Sequence, residues 1–131
     1  GVSCVSCHGK INEMEVVHHN QPMSMGWCLD CHRNPEQKLR PLDQITNLNY
    51  DASDLDRGEF YAGLLEKGVK PVEIASVISS APAADAPKNL EDILALASDT
   101  YGDKVTQVEV GSQLKKHWQI QPPESCAACH R

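Results

Sequence analysis

The chain is short of aromatic residues: one Phe, two Trp and three Tyr make up 5% of its 131 residues. With 40% apolar content, such a chain supports only a modest side-chain core, in one domain or one and a part. It also lacks a surplus of positive charge, with 18 Asp and Glu against 12 Lys and Arg and a formal net charge of −6. Phosphate binding needs clustered cations, so a nucleic-acid partner is not expected. No stretch approaches the roughly 18 consecutive apolar residues of a membrane span. No charged start followed by an apolar run marks a signal peptide. The chain opens on Gly1 and is expected to be a processed or trimmed product.

No cysteine is left unpaired by spacing. The six fall into Cys4 and Cys7, Cys28 and Cys31, and Cys126 and Cys129, and each second cysteine is followed at once by a histidine: His8, His32 and His130. Three copies of Cys-x-x-Cys-His point to covalent c-type haem attachment. The two thiols add to the two vinyl groups of a porphyrin, and the adjacent imidazole becomes the proximal iron ligand. The spacing is dictated by vinyls that lie at fixed positions on the macrocycle. Two bland readings compete. Zinc would use Cys pairs separated by roughly 15–20 residues, which Cys7 and Cys28 satisfy, but it orphans the third pair and leaves the histidines unexplained. Disulfides leave the histidines unexplained as well. Three covalent haems therefore form the expected cofactor set. Because haem is joined to thiols outside the cytoplasm, a periplasmic or cell-surface location follows. Haems also account for the few aromatics, since large apolar macrocycles replace side chains at the centre of a core.

The sixth coordination position draws on the remaining histidines, His18, His19 and His117. His19 lies nine residues before Cys28, and His117 nine before Cys126, with Pro22 in the first interval and Pro122 and Pro123 in the second. As a weak repeat, this places a histidine, a proline-containing turn and then the attachment motif. The turn would carry the distal imidazole to its own haem or to a stacked neighbour. His117 and His19 are the distal candidates, with exposed loop histidines as the bland alternative. Met14, Met23 and Met25 lie between the first two motifs, and a thioether ligand would raise the potential relative to a second histidine. Filling gaps beside porphyrin is their ordinary use, and Met25 stands in reserve as a ligand. Only three residues precede Cys4. The first haem is thus expected to borrow His18, a methionine or a residue of another chain. With six-coordinate irons the chain transfers electrons and is not itself an enzyme.

The expected architecture is mostly irregular with short α-helices, organised around the haems: a two-haem segment at 1–33, an acidic and partly helical spacer at 34–111, and a third haem segment at 112–131. Within the spacer, Ser53 is expected to cap a helix to about Lys67, with Phe60, Tyr61, Leu64 and Leu65 on one face and Gly68 ending it. Pro71 opens a second, carrying Ile74, Val77 and Ile78. An Ala/Pro-rich linker covers about 79–88. Asn89 caps a third, with Leu90, Ile93, Leu94 and Ala97 in register and Asp92 in the first turn. Val105, Val108 and Val110 are ambiguous, and a short helix is expected from Leu114 to His117. Fourteen of the 18 acidic residues lie between Asn34 and Lys116, as a solvated surface or a docking face. Arg33 and Arg131 would pair with propionates or stay exposed; Trp27 and Trp118 would pack on porphyrin.

The run Met14-Glu-Val-Val, then Met25-Gly-Trp-Cys28-Leu-Asp-Cys31-His32-Arg33-Asn-Pro and Arg40-Pro-Leu-Asp-Gln-Ile-Thr-Asn, resembles the multihaem, pentahaem cytochrome c subunit of bacterial alternative complex III. The closing stretch from His117 through Pro122-Pro123 to Cys126 and Arg131 is similar to the end of the same subunit's haem region. The resemblance covers residues 1–50 and 112–131; residues 51–111 add nothing to it and make a long spacer for the family. It implies an electron wire in a membrane respiratory complex that oxidises quinol and delivers electrons to a periplasmic cytochrome or an oxidase. Iron–sulfur and quinol-binding subunits and other c-type cytochromes would be the partners. The location would be the periplasmic side of the bacterial inner membrane, held peripherally or by an N-terminal anchor that this chain lacks. The family's five motifs and its upstream His-x-x-His are represented here by the later three motifs alone, so the chain resembles the C-terminal portion of such a subunit. Two alternatives stand beside this reading: a soluble multihaem shuttle similar to cytochromes c3 and c7, and a multihaem reductase with an open haem.

Overall fold

The computed structural model describes residues 1–79 and 86–125. Among them are six α-helices and no strand: α1 (Val5–His8), α2 (Met25–Arg33), α3 (Arg57–Glu66), α4 (Pro71–Ile78), α5 (Leu90–Tyr101) and α6 (Gln107–His117). Short 3₁₀ turns at Ile11–Glu13, Pro35–Gln37, Leu42–Gln44 and Ala52–Asp54 punctuate the connections. The chain is thus small and helical, with much of it in turns, as its sequence leads one to expect. The Ala/Pro-rich segment lies largely outside the described residues.

Capping chemistry sets the helix starts. Asn89 accepts a hydrogen bond from the Asp92 backbone N–H at 2.9 Å, and α5 then buries Ile93 and Ala97. Pro71 opens α4, where its missing N–H costs nothing, and the Glu73 carboxylate accepts from the Lys70 N–H at 3.0 Å. α3 begins three residues later than the sequence suggests. Asp56 is its cap, accepting from the Glu59 N–H at 2.8 Å, whereas Ser53 belongs to a separate turn closed by Asp51. Leu55, in extended conformation, divides the two. α6 is longer than expected. Thr106 and Glu109 form a reciprocal capping box, so the helix starts at Gln107 and runs unbroken across residues 111–112.

The core has two parts. Tyr61, Leu64, Ile74, Ile78, Ile93 and Ala97 pack together from α3, α4 and α5. Leu39, Ala52, Val105, Val110 and Leu114 form the second cluster, with Trp118 against it. Each fully buried Leu or Ile contributes roughly 1.5–3 kcal/mol. Between the clusters Arg57 and Glu109 pair at 2.9 Å, both buried. α6 lies directly on the Pro35–Gln37 turn, with Gly111 against the Glu36 backbone. The Gln107 amide donates to the Glu36 and Leu39 carbonyls at 3.1 and 2.7 Å, and Lys115 meets Glu36 at 2.9 Å.

This contact positions the motif-bearing segment. α2 runs straight into the Pro35 turn, and residue 1 is paired with residue 40 through Arg40 N–H to Gly1 O at 2.9 Å. No residue of 1–33 belongs to either core cluster, and Ser3 is their sole buried residue. No helix among the described residues is long and apolar enough to cross a membrane.

Candidate cofactor-binding site

The first two attachment motifs are borne on helices. Positions i, i+3 and i+4 share a helix face, so Cys4, Cys7 and His8 project together from α1, and Cys28, Cys31 and His32 from α2. Ser24 caps α2 by accepting from the Trp27 N–H at 3.3 Å, and Pro35 follows its end. All four of these cysteines are free thiols, Cys4 exposed and the others half-buried.

α1 and α2 border one cavity of about 530 Å³, walled by Cys7, Cys28, Cys31 and His32, with Val2 and Trp27 among its apolar lining. Its volume falls in the range of about 300–1,000 Å³ usual for small-molecule and cofactor sites. Burial pushes the Cys31 thiol up, Lys38 opposes the shift, and Cys7 and Cys28 reinforce it. Thiols from two motifs therefore feel one another across the same space. Trp27 stands where a packing role beside the cavity is expected of it.

The two histidines share a device. His8 Nδ1 lies 3.0 Å from the carbonyl oxygen of His18, and His32 Nδ1 lies 2.6 Å from that of Pro123. A carbonyl only accepts, so in each ring Nδ1 is the donor, and in the neutral imidazole the lone pair is then on Nε2. Metal-bound imidazoles are oriented in this way, the far N–H held by a fixed acceptor. Sequence reasoning missed both acceptors, because a backbone carbonyl leaves no mark in the residue pattern.

The remaining expected residues are distributed unevenly. The stretch after α1 folds back on it, with the Asn20 N–H donating to Cys7 O at 3.1 Å. This brings the His19 ring to 4.9 Å from that of His8, centroid to centroid, tilted by 43°. His18 turns the other way, its Nδ1 3.1 Å from Val16 O. His117 ends α6, half-buried, with Nε2 2.9 Å from Gln113 Oε1; burial lowers its pKa, Glu73 opposing and Lys116 adding to the shift. Met25 opens α2 and is exposed, away from the cavity wall. Arg33 pairs with Glu124 at 3.5 Å. Trp118 packs on the second core cluster, with the Lys67 ammonium 5.7 Å from its ring centroid. Cys126, Cys129, His130 and Arg131 lie outside the described residues.

The donor set fits c-type haem. Each described motif offers two thiols and one imidazole with a free Nε2 on a single helix face, and porphyrin would supply four nitrogens. Among the described residues no three His, Cys, Asp or Glu side chains converge as an ion-holding group by themselves. Around the motifs the chain bares apolar side chains that nothing in the described residues covers, Val16 at 77%, Val17 at 57% and Met25 at 55% exposure. Comparison of the chain with known protein families, with curated proteins and with solved structures gives no match.

Proposed function

We propose that this chain is an electron-transfer segment carrying three covalent c-type haems, at Cys4/Cys7/His8, Cys28/Cys31/His32 and Cys126/Cys129/His130. The observation that carries the reading is the shared arrangement of His8 and His32, each with Nδ1 on a backbone carbonyl and two cysteines on the same helix face. Zinc bound by Cys-rich sites needs four protein ligands in one place, whereas a haem iron asks the chain for one or two. Bound at these positions, haem would supply one-electron redox centres whose potentials follow axial ligand, hydrogen bonding and burial.

The chain's own contribution is attachment, orientation and shielding. α1 and α2 fix the thiols, the carbonyls of His18 and Pro123 fix the rings, and Val2 and Trp27 offer an apolar wall. The wider assignment rests on the resemblance of residues 1–50 and 112–131. It makes the chain part of a quinol-oxidising membrane complex on the periplasmic side, passing electrons to another c-type cytochrome or an oxidase. In that setting the quinol chemistry belongs to partner subunits.

The test is a haem-stained native gel of mildly solubilised membranes beside the soluble fraction, with the band containing this chain identified by mass spectrometry. A large membrane complex whose chain carries three haem masses supports the whole reading. A small soluble haem band alone retires the complex and leaves a shuttle. A colourless chain overturns haem binding.

A further inference from the structure

The loop that returns over α1 does two separate things to His8. Gly9, at φ +72°, reverses the chain in a conformation that favours glycine. The Asn20 N–H then closes on Cys7 O at 3.1 Å. The backbone of His18 holds the far side of the His8 ring, Nδ1 to carbonyl at 3.0 Å, while the side chain of His19 faces that ring at 4.9 Å. Of the two adjacent histidines, only His19 is directed at His8; the His18 ring is turned onto Val16 O. The His19 ring makes no hydrogen bond among the described residues, and the residue is exposed. It is therefore a second imidazole whose nitrogens are uncommitted, standing next to one whose free lone pair is on Nε2.

We propose that His19 is the second axial ligand of the iron whose first ligand is His8, so that a single stretch of this chain, residues 4–20, supplies both thiols and both imidazoles of the first haem. The proposal rests on the haem reading above and deepens it. Two imidazoles on opposite sides of one metal ion put their ligating nitrogens roughly 4 Å apart, twice the usual metal–imidazole distance. The ring centroids lie beyond those nitrogens, roughly 6 Å apart in such a pair, so rings at 4.9 Å need only part by about 1 Å, which the exposed His19 side chain can do without displacing any packed group. The spacing of His19 before Cys28 points instead to the second haem, but the ring that His19 faces is that of His8. A pair of imidazoles gives a lower potential than imidazole with methionine. The first haem would accordingly be the more reducing partner of any haem in this chain ligated by methionine.

The test uses the haem-loaded chain and two readouts, covalent haem content by pyridine haemochrome and mass, and ferric spin state by electron paramagnetic resonance. Three haems with the first one low-spin are expected of the wild type. In His19→Ala the content stays at three, one haem becomes high-spin, and added imidazole returns it to low-spin. In His19→Met one haem acquires the far-red absorption of methionine ligation and a raised potential. His18→Ala changes neither readout, because the backbone carbonyl that holds His8 remains. Should His19→Ala fail to load haem, His19→Met decides. A His19→Ala protein with the wild-type low-spin signals overturns the assignment, as does a loaded His19→Met protein without methionine ligation or a wild-type first haem that is already high-spin. A wild type without covalent haem would instead overturn the haem reading itself.

Discussion

Arg57 and Glu109, 52 residues apart in the chain, meet in the core through two parallel hydrogen bonds, Nε to Oε1 at 2.9 Å and Nη2 to Oε2 at 3.0 Å. The guanidinium also donates to Ser98 Oγ and to the Gly102 and Lys104 carbonyls, and Tyr61 OH donates to Glu109 Oε1 at 3.0 Å. Every strong donor is thereby used, and α3, α5 and α6 are joined at one point. The motif-bearing helices are anchored to this unit through the Pro35–Gln37 turn, so its stability underlies the site without touching it.

Removing one partner of this pair leaves a buried charge uncompensated. Arg57→Leu is expected to cost about 3–5 kcal/mol in urea unfolding of the haem-loaded chain. Replacing both partners by apolar residues should recover a substantial part of that loss. A single-variant cost under about 1 kcal/mol would mean that water reaches Glu109 and the charge is not buried in solution.

Tyr61 links the same network to alkaline pH. Its hydroxyl titrates far above the ordinary value of 10.0, chiefly because it is buried and then because Glu109 stands beside it. Above about pH 10 the unfolded chain therefore binds fewer protons than the folded one, and stability falls as pH rises. Burial pushes Tyr50 and Tyr101 up as well, so the slope is shared. Tyr61→Phe should lose about 1–2 kcal/mol at neutral pH, where a hydrogen bond to a carboxylate disappears. It should also show a shallower decline between pH 10 and 12. An unchanged alkaline slope in thermal unfolding would contradict the stated environment of Tyr61.

Two glycines in helix interiors should respond with opposite signs. A methyl group at Gly111 would meet the Glu36 backbone, which cannot yield without lifting α6 from the Pro35–Gln37 turn. Gly111→Ala is thus expected to destabilise by about 1–3 kcal/mol. Gly63, in α3, has no atom within 4 Å of the added methyl. There alanine should stabilise by about 0.5–1 kcal/mol through helix propensity alone. Thermal unfolding of the two variants side by side checks both; the same sign for both would remove the close approach of α6 as the explanation.

How far the sequence exposes this structure depends on whether the cue is local. α4 and α5 are legible because Pro71 and Asn89 mark their starts and the apolar spacing follows at once. α6 was hidden by valines at 105, 108 and 110 and by a glycine in mid-helix; the readable signal was Thr106-x-x-Glu109. Ser53 misled because a cap is defined by the backbone N–H it reaches, and Asp56 reaches one at the head of α3. The burial of Arg57 and Glu109 had no local sign, since each charge is tolerable only in the presence of the other. At the site, motif spacing singles out the thiols and the histidines that follow them, which the first two motifs carry on α1 and α2. The carbonyls of His18 and Pro123 could not be read, and neither could the facing of His19 toward His8 across a chain reversal at Gly9.

Haem attachment and core stability should separate cleanly. Neither core cluster contains a residue of the segment 1–33. Cys28→Ala/Cys31→Ala should therefore lower the covalent haem content from three to two while α3 to α6 still unfold in one cooperative transition. Gly111→Ala is expected to do the reverse, keeping three haems in the folded chain and lowering the unfolding midpoint. Intact mass and far-ultraviolet circular dichroism measure the two properties on the same samples. The cysteine variant gives the sharper result, because Cys28 and Cys31 wall the cavity that α1 also borders. Retention of three haem masses would dismiss the second motif as an attachment site. Loss of the first haem along with the second, read as one haem mass in place of two, would mean that the first haem requires the second as its wall.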